Sequence, residues 1–397
     1  TTMKKYYPYL ITVSHMINDS CQSILPALLP LFIYTYGLSL EQAGFLILAN
    51  TALSSLLQPL LGYLSDKINQ PRLIALGVLL SACSTGVMGF VTSYESLLVC
   101  ATLAGVGSSI FHPEGAKIMN RLGGGKKGKA MGTFAIGGSS GFAIGPLFAG
   151  SIAYTVGPHG LAAFTVVGLI ISTILFILMP RIVAHARTID QAVATENPTL
   201  VDKPLKNYWK YFGILFVIIL SQSVNFRVIN AFIPIFWTRE LGTSPEQGSF
   251  ALTIFFSIGI FMTYIGGLLG DKYGPIKIIR LSLLIWLPAM FLLTEVPTFS
   301  PVIMMPVAYL LLLMIGAAKA ISYSPVIVLG QTYLAKSIGF ASGITLGVSQ
   351  TIGGIIAPVV GNLADTYTLP IAMMTLVPFL VMGLGASLIL KDPKKLQ

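Results

Sequence analysis

The chain has 397 residues, of which 54% are hydrophobic and only 10% are charged. Soluble domains carry about a quarter charged residues, so this composition excludes a soluble globular protein and indicates a helical protein that crosses a membrane several times. The net charge of +10 would suit a nucleic-acid-binding protein, but the basic residues fall in alternate loops of the predicted spans. Membrane topology accounts for such a pattern, so no nucleic-acid partner is predicted.

Charges, glycine and proline turns, and segment length divide the chain into twelve apolar segments. Residues 130–180 contain no Asp, Glu, Lys or Arg, and because a span needs roughly 20 residues, this block holds two spans. The predicted spans are 9–36, 42–65, 72–93, 96–119, 129–156, 160–180, 209–238, 246–270, 276–294, 302–334, 337–364 and 369–390. The expected fold class is an all-α membrane protein with twelve transmembrane helices.

The basic residues orient these spans. With the N-terminus in the cytoplasm, the inner segments hold all but three of the 24 Lys and Arg residues. Of the three, Arg239 lies in an outer loop, whereas Arg227 and Lys319 lie within spans. Because positive charge collects on the cytoplasmic side, both termini are predicted to be cytoplasmic.

An internal repeat relates the two halves of the chain. Residues 39–45 resemble residues 244–250, and residues 62–67 resemble residues 267–272, with the same separation of 205 positions in both pairs. One separation shared by two motifs is hard to obtain by chance. Parallel repeats of six spans, related by an axis along the membrane normal, are a known plan of transporters.

One long polar connection lies between the sixth and seventh spans. It covers residues 181–208 and contains Pro198 and Pro204. The predicted domains are therefore an N-terminal six-helix bundle over residues 1–180, a cytoplasmic linker over 181–208, and a C-terminal six-helix bundle over 209–397.

The loop after the second span carries a motif that recurs after the eighth span. Its residues are Gly62, Asp66, Lys67 and Arg72 in the first copy, and Gly267, Asp271 and Lys272 in the second. The motif resembles the signature loop of the major facilitator superfamily, and the resemblance, which covers the whole chain, implies that fold. Glycine permits close helix approach, and an aspartate near a helix N-terminus suits the helix dipole and can bind a basic partner. We therefore expect this loop to control gating; the alternative is an ordinary charged inner loop.

The fifth span has a face of small residues from Gly137 to Gly145, followed by Pro146. It resembles the glycine–proline motif of antiporters in the same superfamily, which implies a gating role for Gly145 and Pro146 and favours export over uptake. The alternative is that these residues serve helix packing alone.

Ionisable residues within spans one and four are candidate proton carriers. His15 and Asp19 are four positions apart and so share one helix face, and His112 and Glu114 flank a proline in span four. Ionised groups at this depth are costly and usually face a cavity or a partner charge. We expect Asp19 and Glu114 to carry protons, and His15 and His112 either to titrate with them or to tune them. Alternatively, Glu114 is an interfacial carboxylate paired with Lys117.

Two cations, Arg227 in span seven and Lys319 in span ten, also lie within the membrane. Because 205 positions separate Lys319 from Glu114, the repeat would place them at matching depth. The cations either neutralise Asp19 and Glu114 or hold an anionic cargo. Further polar residues within spans either contact the cargo or bridge helices: Asn18, Gln222 and Asn225.

Two local patterns narrow the resemblance. The residues Ser14-His15-x-x-Asn18-Asp19 and Phe111-His112-Pro113-Glu114 resemble the fosmidomycin-resistance branch of the superfamily. That branch implies an inner-membrane exporter of small drugs, driven by protons and working by alternating access of two bundles. The implied cargo is a small phosphonate, whose negative charge would suit Arg227 and Lys319. The resemblance also implies a monomer.

Three other functions use similar residues. A proton symporter importing an organic anion differs only in the direction of flux, and a lipid flippase would need a large apolar cavity with a lateral opening. A membrane-embedded enzyme is not predicted, because no nucleophile motif or metal-ligand spacing accompanies His112 and Glu114. No metal and no cofactor are predicted.

Overall fold

The computed structural model describes residues 2–68, 70–123, 127–196, 206–334, 341, 344–393 and 396 of the chain. Nearly all of these residues are helical, and strand-like pairing among them is confined to one isolated bridge between Asn207 and Leu334. The α-helices are α1 (Tyr7–Ala27), α2 (Leu29–Tyr36), α3 (Leu40–Ile68), α4 (Leu73–Val87), α5 (Tyr94–Leu122), α6 (Lys127–Thr155), α7 (Ala162–Glu196), α8 (Trp209–Arg239), α9 (Pro245–Tyr273), α10 (Pro275–Glu295), α11 (Pro301–Ile321), α12 (Tyr323–Tyr333), α13 (Ser349–Thr366), α14 (Leu369–Met374) and α15 (Leu376–Ile389). The prediction of an all-α protein is confirmed.

Nine of the described helical segments are long and apolar enough to cross a bilayer, or ten when the bent pair α1 and α2 counts as one span. The nine segments have 19 to 35 residues, against the roughly 20 that a span needs. A protein with many membrane spans is therefore confirmed. The count of twelve spans and the cytoplasmic position of both termini stay predictions.

Three predicted spans are interrupted. The span predicted over 9–36 divides at Leu28 into α1 and α2, which meet at an angle of 48°. Pro26 lies inside α1 close to this break, where it has no backbone N–H to donate and its ring crowds the preceding turn. The spans predicted over 302–334 and 369–390 divide at Ser322 and Thr375. Apolar length carries no information about local backbone geometry, so these divisions were not predicted. Pro301–Gly330 and Leu369–Ile389 each remain one apolar segment long enough to cross a bilayer.

The described contacts group the chain into two compact units. Unit 1 comprises Thr1–Leu25 and Leu53–Lys203, and unit 2 comprises Pro26–Ala52 and Pro204–Gln397. Residues 181–196, in the predicted linker, continue α7 within unit 1. The division into bundles over 1–180 and 209–397 stays a prediction.

The repeated motif at 39–45 and 244–250 has a structural meaning in unit 2. At the start of α3, the backbone N–H of Gln42 donates to Ser39 Oγ at 3.0 Å, and the backbone N–H of Ser39 donates to Gln42 Oε1 at 2.9 Å. Ser244 and Gln247 make the same two bonds, each 3.4 Å long, at the start of α9. Both copies are capping boxes, which satisfy backbone donors that a helix N-terminus otherwise leaves unpaired.

Glycines bring α4 and α5 of unit 1 into backbone contact. A Cβ atom on Gly77 would lie 2.8 Å from the carbonyl oxygen of Gly107 and from the backbone nitrogen of Phe111. A Cβ atom on Gly107 would lie 2.6 Å from the backbone nitrogen of Ser81. Small residues permit such close approach, and the contact fixes the position of the α5 turn that follows, which carries His112.

Candidate functional site

Two helices of unit 1 bring three ionisable side chains together. Helix α1 supplies His15 and Asp19, and α5 supplies His112. His15 Nε2 lies 3.2 Å from Asp19 Oδ2, His112 Nε2 lies 3.2 Å from Asp19 Oδ1, and the two Nε2 atoms are 3.2 Å apart. His15 and Asp19 are buried, whereas the His112 side chain is 26% exposed. We call His15, Asp19 and His112 the triad. His15 and Asp19 lie on the same face of α1, as predicted.

The other ring nitrogen of each histidine contacts a backbone carbonyl. His15 Nδ1 lies 2.7 Å from the carbonyl oxygen of Phe134, and His112 Nδ1 lies 2.9 Å from that of Ser108. A carbonyl oxygen only accepts hydrogen bonds, so these contacts assign Nδ1 as the donor in both rings. His112 Nδ1 also lies 3.1 Å from Ser108 Oγ, which is then a second acceptor. When the imidazoles are neutral, both Nε2 atoms therefore present lone pairs to each other and to the carboxylate. The two Nε2 atoms and the carboxylate then face one another as acceptors, and a proton or another cation between them would relieve their repulsion.

Asn18 joins the triad to its surroundings. Its Nδ2 donates to Asp19 Oδ1 at 3.0 Å and approaches Ser108 Oγ at 3.3 Å, and its Oδ1 accepts from Ser81 Oγ at 3.1 Å. The side chain is fully buried. The structure therefore places Asn18 as a bridge among α1, α4 and α5, and the predicted contact with cargo stays a prediction.

The small-residue face of the fifth predicted span packs directly on α1. A Cβ atom on Gly138 would lie 2.7 Å from His15 Cε1 and 2.8 Å from Asp19 Oδ2. The ring of His15 also stacks on that of Phe134, with centroids 3.9 Å apart. Farther along α6, Gly145 contacts the backbone of Ser20 on α1. The glycine face therefore packs against the triad on one side. This packing role does not exclude gating at Gly145 and Pro146, which stays a prediction.

Glu114 lies near the triad in sequence but has a different partner. Its side chain is buried, and Oε1 lies 3.7 Å from Lys117 Nζ, three residues further along α5. This pair fits the interpretation of Glu114 as an interfacial carboxylate. A role of Glu114 in carrying protons stays a prediction.

Unit 2 holds the two intramembrane cations against one aromatic ring. Lys319 Nζ on α11 lies 4.4 Å from the ring centroid of Phe226 and 5.3 Å from that of Tyr323. Arg227 Cζ on α8 lies 5.7 Å from the Phe226 centroid. Within the described residues of unit 2, no carboxylate oxygen lies within 4.0 Å of either cation, and Arg227 Nε is buried with no hydrogen-bond partner.

A cavity in unit 2 opens beside Lys319. Its polar and aromatic lining consists of Gln222, Ser223, Phe226, Lys319, Tyr323 and Thr345. Gln222 Nε2 is buried and finds no hydrogen-bond partner among the described residues. By contrast, Asn225 Nδ2 donates to the carbonyl oxygens of Ser221 at 3.0 Å and Leu376 at 3.3 Å, so Asn225 bridges α8 and α15. Of the two predicted polar residues of span seven, Gln222 lines the cavity and Asn225 joins helices.

The residues predicted to control gating are described in part. The side chains of Gly62, Asp66 and Lys67 lie outside the described residues. Arg72 Cζ lies 4.7 Å from the ring centroid of Phe176 in unit 1. In the second copy, Asp271 and Lys272 are exposed, and Lys272 Nζ lies 5.1 Å from the ring centroid of Tyr273. A Cβ atom on Gly267 would reach Ser324 at 3.8 Å, an ordinary contact.

The sequence analysis missed four contributors to these sites. Ser108 and Phe134 orient the histidines through backbone carbonyls, which no side-chain pattern can reveal. Phe226 and Tyr323 flank Lys319 with their rings. The adjacency of Phe226 to Arg227, and the spacing of Tyr323 four positions after Lys319, are sequence signals that could have pointed to aromatic partners for the cations.

Sequence and structure comparisons agree on the kind of protein that this chain resembles. The family profile described as Major Facilitator Superfamily matches residues 11–358 and 212–396. YfnC, an uncharacterized MFS-type transporter of Bacillus subtilis, is 30% identical over 393 residues, which cover 98% of this chain and 94% of YfnC. The fosmidomycin resistance protein of Escherichia coli is 29% identical over 356 residues, covering 89% of this chain and 85% of that protein. Among solved structures, a bacterial homolog of the human lysosomal transporter Spinster has a TM-score of 0.77 at 17% identity, covering 98% of this chain and 97% of the other. The resemblance seen in the motifs is thereby confirmed.

Proposed function

Because the chain belongs to the Major Facilitator Superfamily, we propose that it exports small anionic compounds such as fosmidomycin in exchange for protons. Membership makes it a secondary transporter of the cell membrane and not an enzyme. The proposed cargo and its exchange for protons depend on how the buried charges of each unit are compensated. One observation carries it: the cations of unit 2 have no described carboxylate partner within their own unit, beside a cavity that could admit an anion.

Of the two interpretations of the cations, the contacts favour the binding of cargo. In unit 1, Asp19 is compensated by two histidines and Glu114 by Lys117. In unit 2, the charges of Arg227 and Lys319 are offset among described residues only by aromatic rings. A cation–π contact contributes about 0.5–2 kcal/mol, less than the cost of several kcal/mol that a desolvated charge carries. An anion in the cavity would supply the difference.

Lys319 and Gln222 line the unit 2 cavity, and Arg227 lies against its lining residue Phe226. These three side chains would suit an oxyanion with several acceptor atoms. A guanidinium matches carboxylate, phosphate or phosphonate oxygens through two parallel hydrogen bonds, and an ammonium acts as a point charge with three donors. Gln222 Nε2 adds a neutral donor without a described partner. The Escherichia coli relative is named for fosmidomycin resistance, and this phosphonate is therefore the first cargo to test.

The triad of unit 1 is the proposed proton site. The two Nε2 atoms and the Asp19 carboxylate, with contacts of 3.2 Å, can share a proton and release it when the geometry or the access to water changes. In an alternating-access cycle, protons from outside would load the triad, and deprotonation on the cytoplasmic side would accompany the binding of cargo. The superfamily plan supplies this cycle, and the triad supplies its proton-binding group.

Gly138→Ala is expected to remove most proton movement while the protein still inserts. The new methyl group would lie 2.7–2.8 Å from His15 and Asp19, so one of these side chains must move and the triad must open. The matched control is Gly213→Ala in α8, where a Cβ atom meets nothing within 4 Å. The measurement is cargo-driven proton movement in proteoliposomes. Equal activity of the two variants would contradict the assigned geometry.

Proteoliposomes loaded with fosmidomycin test the proposal as a whole. A dye inside the vesicles reports internal pH, and valinomycin with balanced potassium removes the membrane potential. As cargo leaves, exchange brings protons inward and acidifies the interior, whereas proton symport with the anion would make the interior alkaline. Acidification supports the proposed antiport. Alkalinisation or no change, with correctly inserted protein, would reject it, and alkalinisation would favour uptake of an organic anion.

A further inference from the structure

We propose that the triad is also a binding site for a divalent transition-metal ion, for which zinc is the natural probe. The proposal concerns a ligand class that the transport of anions and protons does not require. It stands on the placement of three donor atoms, His15 Nε2, His112 Nε2 and one carboxylate oxygen of Asp19. These atoms all lie within 4.8 Å of one another.

The distances within the triad match the edges of a zinc coordination tetrahedron. Zinc binds imidazole nitrogen and carboxylate oxygen at about 2.0–2.2 Å, which places neighbouring donors roughly 3.3–3.6 Å apart in a tetrahedron. The two Nε2 atoms are 3.2 Å apart, and each lies 3.2 Å from a different oxygen of Asp19, Oδ2 for His15 and Oδ1 for His112. A rotation of the Asp19 carboxylate, or binding through both of its oxygens, would therefore admit the ion without a new backbone conformation.

The groups behind the donors have the form of an outer coordination shell. Histidines that bind metals almost always donate their other ring N–H to a carbonyl, a carboxylate or water, and their carboxylate partners are themselves hydrogen-bonded. Phe134 and Ser108 supply such carbonyls to His15 and His112, and Asn18 donates to the carboxylate of Asp19. A hydrogen-bonded polar core would alternate donors with acceptors. Here the backbone carbonyls occupy Nδ1 of both rings, so neutral imidazoles present Nε2 lone pairs to each other and to the carboxylate.

The donor types select the kind of ion. Imidazole suits zinc, copper, nickel and iron, whereas magnesium and calcium prefer oxygen ligands throughout. Two histidines and one carboxylate form a three-ligand set that leaves a coordination position for water or another ligand. The His112 side chain is 26% exposed, which gives the ion a route of entry. A transition metal with nitrogen ligands is therefore the class that fits.

Metal and protons would compete at the triad, because a metal binds the same lone pairs and requires neutral imidazoles. This consequence depends on the proposed function: if the triad carries protons during transport, zinc inhibits that transport. The binding itself does not depend on transport, and it can be measured on purified protein in detergent. Failure of one proposal is therefore distinguishable from failure of the other.

The experiment is a zinc titration of the full chain by calorimetry, after removal of any histidine tag. The chain has four histidines, two in the triad and two elsewhere, His159 and His185. We expect one ion per chain. Because loss of an outer-shell group alone costs 10–100-fold in affinity, His112→Gln should weaken binding by about 100-fold or more. Asp19→Asn should also weaken it, whereas His159→Gln and His185→Gln should bind as the parent protein does.

Cobalt(II) provides a second readout, because its visible absorption reports coordination number. A tetrahedral spectrum in the parent protein that is lost in His112→Gln and in Asp19→Asn would support the site. Each variant is first checked for a single symmetrical peak in gel filtration, and two independent ligand variants guard against misfolding of one. Absence of stoichiometric binding, or binding that the triad variants retain and the His159 and His185 variants lose, would overturn the proposal.

Discussion

Replacing Asp19 with Asn is expected to reduce cargo-driven proton movement to the level of protein-free liposomes, while the protein still folds and inserts. The two side chains have nearly the same shape, so packing against Gly138 and Gly141 on α6 is preserved. Their hydrogen-bonding chemistry differs. An amide has a permanent N–H donor, which can satisfy the lone pair of His15 or His112 directly. The cluster then no longer needs a proton between its acceptors.

The same reasoning sets the control for Asp19→Asn. Asp190 on α7 is an aspartate of unit 1 that pairs with Arg121 at 2.7 Å, and its side chain is 46% exposed. Exposed ion pairs contribute about 0–1 kcal/mol, so Asp190→Asn should transport normally. Internal pH in fosmidomycin-loaded vesicles is the measurement for both variants. If Asp19→Asn moves protons at the parent rate, the triad is not the coupling site, and Glu114 becomes the next carboxylate to replace.

Composition and charge predicted much of the fold because they indicate whether the chain is surrounded by water or by lipid. A chain with 10% charged residues cannot cover a soluble surface, and a bilayer demands that nearly all backbone groups be paired within helices. The same signals could not locate the break at Leu28 or the division at Ser322. These depend on how single residues such as Pro26 fit their neighbours, and that information is absent from a hydropathy pattern.

The candidate sites, like the fold, were predictable from the sequence only in part. The spacing of His15 and Asp19 on one helix predicted their contact, but the approach of His112, 97 positions away from His15, required the packed structure. The carbonyl of Phe134 is a backbone atom and leaves no trace in the residue pattern. The repeat aligned Glu114 with Lys319, whereas the structure pairs Glu114 with Lys117. The repeat preserves the capping boxes of α3 and α9, because a cap depends only on residues a few positions apart, whereas a charge pair depends on its surroundings.

Neutralising the unit 2 cations is expected to produce the second large effect. Lys319→Gln and Arg227→Gln should each raise the half-saturating concentration of fosmidomycin by about tenfold or more. A hydrogen bond to a charged group contributes about 1.5–3 kcal/mol, and 1.4 kcal/mol corresponds to a factor of ten in affinity. The control is Lys277→Gln on α10, which removes an exposed lysine from the same unit.

Exchanging arginine for lysine, or lysine for arginine, should also have different effects on phosphonate binding at Arg227 and at Lys319. Arg227→Lys keeps the charge but loses the planar pair of donors, so it should weaken binding of a phosphonate more than Lys319→Arg does. An uncharged phosphonate diester separates a cargo role from a structural one. If the cations contact the cargo, the glutamine variants lose affinity for the anion and little for the diester. Equal losses for both compounds would show that Arg227 and Lys319 support the fold of unit 2 through Phe226, and the anionic cargo would have to bind elsewhere.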